Sequence, residues 1–187
     1  MKKVLLSICA VMLVLGSFGM AGATTYTFTP TPADLYDLDH YKYYTWGIDW
    51  EYPVGETIKE ASITFHNIYD WTVEDDILYV HLLNSVGVGV TIGTDNQGVG
   101  DYFSGEGTLL GTWTDPNGGY QYKTDVTFDI DSAYFSWLSD GNFGFGIDPD
   151  CHYYNDEVYV TIITPEPMTM LLLGFGLLGL GLARRKS

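Results

Sequence analysis

Apolar and polar residues fall into three regimes along the chain. Val4–Met20 is a continuous apolar run, Met168–Ala183 is a second, and the long stretch between them alternates. In that stretch Tyr44, Trp46, Ile48, Trp50 and Tyr52 share one side of an extended backbone, with Thr45, Gly47, Asp49 and Glu51 on the other. This is the period of two expected where a strand buries a single face, so Trp46 and Trp50 read as core. Ile63 and Phe65 alternate with Thr64 and His66, and the pattern extends to Asn67. Leu78–Leu83 is more uniformly apolar and predicts a more fully buried strand. Val86–Ile92, Thr108–Trp113, Tyr120–Ile130, Asn142–Ile147 and Glu157–Ile163 complete the predicted strands. Asp95-Asn96-Gln97-Gly98, Asp115-Pro116-Asn117-Gly118-Gly119 and Asp148-Pro149-Asp150 supply turns. Short strands at this spacing predict an all-β domain over residues 24–164, a β-sandwich of jelly-roll-like kind. One helical turn is expected over Ser132–Ser139, capped by Asp131 and ended by Gly141. A looped crossover explains those residues equally well.

The two apolar runs have different flanks. Met1-Lys2-Lys3 precedes the first, and Ala21-Gly22-Ala23 follows it. Basic start, apolar middle and small residues at Ala21 and Ala23 are the order of a secretory signal peptide over 1–23. Signal peptidase would then leave Thr24 as the first mature residue. The second run, 168–183, follows Pro165-Glu166-Pro167 and precedes Arg184-Arg185-Lys186. As a transmembrane helix it reaches roughly 24 Å against a hydrocarbon core of about 30 Å, a gap that thinning and snorkelling close. Bases at both extremities should stay cytoplasmic, which puts the intervening domain across the membrane.

Pro165-Glu166-Pro167, a Leu/Gly-rich helix and a closing Arg184-Arg185-Lys186 resemble the PEP-CTERM sorting tail of Gram-negative bacteria. The resemblance spans 165–187. It implies an exosortase-type transpeptidase as partner, cleavage near the Pro-Glu-Pro, and an inner-membrane-anchored precursor delivered to the surface or extracellular matrix. It further implies a setting of extracellular polysaccharide and biofilm, and nothing direct about the delivered domain. A plain C-terminal anchor that is never cut is the alternative.

Charge narrows the partners. Between the two ends only Lys42, Lys59 and Lys123 face every acid of the chain except Glu166, with no arginine. A domain at about −20 repels nucleic acid, whose binding needs clustered Lys and Arg. Such a surface is compatible with divalent cations, with polysaccharide, or simply with solubility. With Cys9 inside the first apolar run, Cys151 stands alone in the mature domain, so no internal disulfide supports the fold.

Candidate chemistry concentrates in Gly144–Asn155 and its neighbour Asp156. Asp148, Asp150, Asn155 and Asp156 offer hard oxygen ligands from one loop, which suits calcium, although the EF-hand spacing is missing. An Asx-Pro turn with solvated carboxylates explains them as well. Trp71, beside a turn, and the Tyr153-Tyr154 pair are expected to be exposed and so to stack against a glycan. Cys151 and His152 are adjacent and in extended backbone point to opposite sides, so they form no dyad. His40, His66, His81 and His152 show no paired spacing, which leaves zinc poorly supported. Without nucleophile or phosphate-loop motifs, the expected function is a non-enzymatic structural or adhesive surface domain. A calcium-assisted carbohydrate-binding module is the alternative, and a glycan-acting hydrolase the third reading.

Overall fold

A computed structural model of the chain describes residues 23–72, 76–95 and 100–165. Its ten strands are β1 (Ala23–Phe28), β2 (Lys42–Asp49), β3 (Glu60–Asp70), β4 (Leu78–Leu83), β5 (Gly89–Thr94), β6 (Thr108–Trp113), β7 (Thr124–Asp129), β8 (Asn142–Pro149), β9 (Tyr153–Tyr154) and β10 (Glu157–Pro165). They form two five-stranded sheets. One runs β1-β10-β3-β7, with β9 also paired to β3, and the other runs β5-β2-β8-β4-β6. The fold is all-β, as the alternation predicts. The expected signal peptide and the expected helix over 168–183 lie outside the described residues, apart from Ala23, which opens β1 beside Thr24.

Both sheets feed one core. Tyr44, Trp46 and Ile48 of β2, Leu78, Val80 and Leu82 of β4, and Phe143, Phe145 and Ile147 of β8 are buried from one side. Ile63, Phe65 and Ile68 of β3 and Val158, Val160 and Ile162 of β10 are buried from the other. Alternation aims these side chains inward and the intervening polar ones outward, and their burial is the main term holding the sheets together.

Three local features depart from simple alternation. β3 bulges between Phe65 and Ile68, where Asn67 takes φ 53°. The extra residue moves Ile68 onto the core face, so Asn67 is not the next member of the Ile63/Phe65 row. β8 continues through Pro149, so Asp148 belongs to a strand end and not to the expected turn. Finally, Leu38 and Tyr153 form an antiparallel bridge, each backbone N–H donating to the other's carbonyl at 3.0 and 2.9 Å. The Asp131 cap is present: its carboxylate accepts from Ala133 N–H at 2.8 Å ahead of the short helix Phe135–Ser139. Gly141, at φ 87°, follows it.

Candidate functional site

The four expected calcium ligands each engage partners of their own. Asp148 is buried and accepts from Tyr102 N–H at 2.7 Å, and Asp150 accepts from Gly100 N–H at 2.9 Å. Asn155 donates to the Asp34 carbonyl at 2.9 Å. Asp156 accepts from Asn67 Nδ2 at 2.7 Å and from Lys123 Nζ at 3.1 Å. Asp148 nevertheless sits in strongly acidic surroundings. Burial, reinforced by the charges of Asp95, Asp150 and Asp101, pushes its carboxyl up to about 7. Its Oδ1 is buried without a hydrogen-bond partner. Asp150 is raised by burial too, with Asp76, Asp95 and Asp101 adding to the effect.

Of the expected stacking residues, Trp71 is exposed and Tyr154 half-buried, but Tyr153 is 0% exposed. Tyr153 lies in the core against Trp113, with ring centroids 5.6 Å apart, because the bridge to Leu38 draws its backbone inward. It therefore cannot be a surface platform. Tyr154 instead stacks on Tyr69 at 5.3 Å, and Tyr69 meets exposed Tyr120 edge-on at 5.7 Å. A separate cleft of about 540 Å³ is lined by Tyr43, Tyr102, Phe103 and Trp137 with Asn84, Ser85 and Glu106. Tyr43 and Tyr102 stack at 3.9 Å. Tyr43 has room only because residue 93 is glycine, whose missing Cβ would lie 2.0 Å from the ring. No spacing rule in the sequence joins these residues, since the cleft collects them from four separated segments.

Two clusters bring potential ligating atoms within 4.8 Å of one another among the described residues. The first is Asp70, Asp76 and Cys151. Burial holds the Asp70 carboxyl above its usual range, and Asp76 and Asp115 add to that. Burial and a bond to Asp76 push the Cys151 thiol up to about 12. A thiol held protonated in this way is a poor nucleophile at neutral pH. The second cluster is Asp39, His40 and His152. Position 39 stands opposite 152 because 38 bridges 153. His152 Nε2 lies 2.5 Å from Asp39 Oδ1, and His152 Nδ1 lies 2.8 Å from His40 Nδ1. Asp39 Oδ2 pairs with Lys42 Nζ at 2.8 Å. Burial alone would raise the Asp39 carboxyl, but Lys42, His152 and His40 together hold it below its ordinary value. Sequence spacing missed this grouping because His152 lies 112 residues from His40.

Comparison with known proteins adds one clear match. Residues 164–186 match the PEP-CTERM protein-sorting motif. Of these, Thr164 and Pro165 close β10, whereas Glu166, Pro167, Arg184, Arg185 and Lys186 lie outside the described residues. No curated protein matches the chain. Among solved structures, a latent aurone synthase (polyphenol oxidase) co-crystallised with hexatungstotellurate(VI) aligns with a TM-score of 0.39 at 9% identity. That alignment covers 65% of this chain and 25% of the other, and a similarity so slight carries no argument.

Proposed function

Because the chain ends in a PEP-CTERM protein-sorting motif, we propose that it is an exported envelope protein whose acidic β-domain serves as a structural or adhesive component of a polysaccharide-rich surface layer. A signal peptide over 1–23 starts export, and the tail holds the precursor in the inner membrane with the domain in the periplasm. An exosortase-type transpeptidase then releases it near Pro165-Glu166-Pro167. The sorting motif is the observation that carries this reading. The domain's chemistry is consistent with a non-enzymatic role: Cys151 is held as a protonated thiol, and Asp148 and Asp150 each accept from a backbone N–H. Mass spectrometry of the protein from its host tests the sorting step. Loss of 168–187 is expected in the surface fraction, and that loss should vanish when exosortase is deleted. An intact C-terminus in every fraction would instead make this a permanently anchored protein.

A carbohydrate-binding role is the second reading, supported by the aromatic cleft of Tyr43, Tyr102 and Trp137 with its polar rim. Tyr153 takes no part in it. The expected outcome on a glycan array is retention of an acid-free oligosaccharide, because the domain's negative field repels anionic polymers. Tyr102→Ala should lower that affinity by about tenfold, the loss expected for an aromatic contact of 1–1.5 kcal/mol. A blank array with unchanged Trp fluorescence removes the reading.

A further inference from the structure

The facing imidazoles of His40 and His152 have a geometry that the sorting role does not use. Neither ring is placed by its own residue alone. Leu38 and Tyr153, both fully buried, lock their backbones together through two hydrogen bonds. Asp39-His40 leaves this bridge on one side and His152 enters it on the other. The hydroxyl of buried Tyr44 accepts from Asp39 N–H at 2.8 Å, which fixes the departing loop from below. Tyr41, at φ 60°, turns the chain back into β2 and packs its ring edge-on against His40 at 4.4 Å. The donors thus sit on a braced corner of the domain, with each side chain between about a third and two-fifths exposed.

The tautomers follow from the partners. A carboxylate oxygen accepts, so the ring nitrogen facing Asp39 Oδ1, His152 Nε2, is the donor of that contact. The other nitrogen of that ring, His152 Nδ1, is aimed at His40 Nδ1 only 2.8 Å away. Two ring nitrogens at that separation need something positive between them, either a proton or a metal ion. Carboxylate, imidazole and ion in line is the arrangement by which an outer carboxylate orients a metal-bound histidine. Lys42 adds the next link, holding Asp39 Oδ2 while Oδ1 turns to the ring.

We propose that His40 Nδ1 and His152 Nδ1 bind a late divalent transition-metal ion such as zinc or copper, with Asp39 as the positioning carboxylate behind His152. Imidazole donors select such ions over calcium or magnesium, which prefer oxygen. Zinc–nitrogen bonds of about 2.05 Å at a tetrahedral angle place two ligating nitrogens about 3.3 Å apart. The rings therefore need to part by roughly half an ångström, which their half-exposed positions permit. His40 moves its proton from Nδ1 to Nε2 on binding, and water fills the remaining coordination positions.

The test uses the full-length chain in detergent, with excess magnesium present to occupy surface carboxylates. Zinc calorimetry and the electron paramagnetic resonance of bound copper are recorded for wild type and variants. One ion per chain is expected, with hyperfine coupling to imidazole nitrogen. His40→Ala and His152→Ala should each abolish the two-nitrogen signature. Asp39→Asn should weaken binding by about 10–100-fold while keeping that signature, as loss of an outer-shell partner does. His66→Ala, remote from the cluster, should leave both readouts unchanged, and circular dichroism confirms that each variant is folded. Failure of wild type to bind either ion, or equal binding by folded His40→Ala/His152→Ala protein, would reduce the pair to an ordinary hydrogen bond. Neither outcome bears on sorting, which is read at the C-terminus.

Discussion

Asp148 and Cys151 lie three residues apart, and each is shifted toward its neutral form by burial and by its own set of neighbouring acids. For Asp148 the consequence is a pH-dependent stability. Its carboxyl titrates near 7 in the folded state and near its ordinary 3.8 when unfolded. The folded state therefore binds the proton more tightly. The resulting stabilisation is complete below about 4 and is lost as pH rises to about 7. Asp148→Asn keeps an acceptor for Tyr102 N–H and removes the charge. At pH 8 it should raise the melting midpoint by several degrees, at about 2–4 °C per kcal/mol for a chain of this size. It should also flatten the pH profile between 4 and 7, and a lowered midpoint at pH 8 would contradict the account. For Cys151 the prediction is kinetic. Peptide mapping after iodoacetamide at pH 8 should find it modified far more slowly than an unperturbed thiol, since little thiolate is present.

At the level of elements, the parts of the fold legible beforehand were those where burial follows a local period. The face shared by Tyr44, Trp46, Ile48 and Trp50 is buried as alternation requires, and Leu78–Leu83 and Thr108–Trp113 are strands with those bounds. What escaped were elements defined by a distant partner. β1 carries its inward apolar alternation on Tyr26 and Phe28 alone, which pack against the core, and it pairs with β10. β9 is two residues long, and its pairing with β3 together with the bridge to Leu38 turns Tyr153 inward. The candidate site failed to show itself for the same reason, because His40 and His152 meet only through that register.

Two element-scale substitutions follow. The β3 bulge places Asn67 in the left-handed region, where its N–H donates to Asp125 at 2.9 Å and its amide to Asp156. Asn67→Ala should cost about 2 kcal/mol in chemical denaturation, and Asn67→Gly less. Gly144 of β8 is tighter still: a Cβ there would lie 2.5 Å from the Trp46 carbonyl oxygen and 2.1 Å from a Val86 methyl. Gly144→Ala should therefore cost about 1–3 kcal/mol by overpacking, measured in the same way. A neutral result would mean that β2 and β8 can separate without loss.

For the whole molecule, the dominant long-range quantity is charge. Only three lysines offset the domain's carboxylates, and of these Lys42 and Lys123 are spent on Asp39 and Asp156. Self-repulsion should therefore be relieved by simple salt, so sodium chloride raised from 20 to 500 mM, roughly one Debye-length regime to another, should increase the melting midpoint. A midpoint that falls would place the acids in favourable local pairs and not in a repulsive field.

The attachment of the tail to β10 has a mechanical consequence. β10 is an interior strand, flanked by β1 and β3, and its ladder with β3 runs from Glu157↔His66 to Ile163↔Glu60. The sorting motif begins at its last residues. Were the domain held by that end, a pull from shear flow or a moving matrix would load a doubly bonded strand. Rupture then requires several rungs to slide together, whereas a hold on an edge strand would yield one rung at a time. A domain held by its C-terminal end would hang from a strand suited to bearing load.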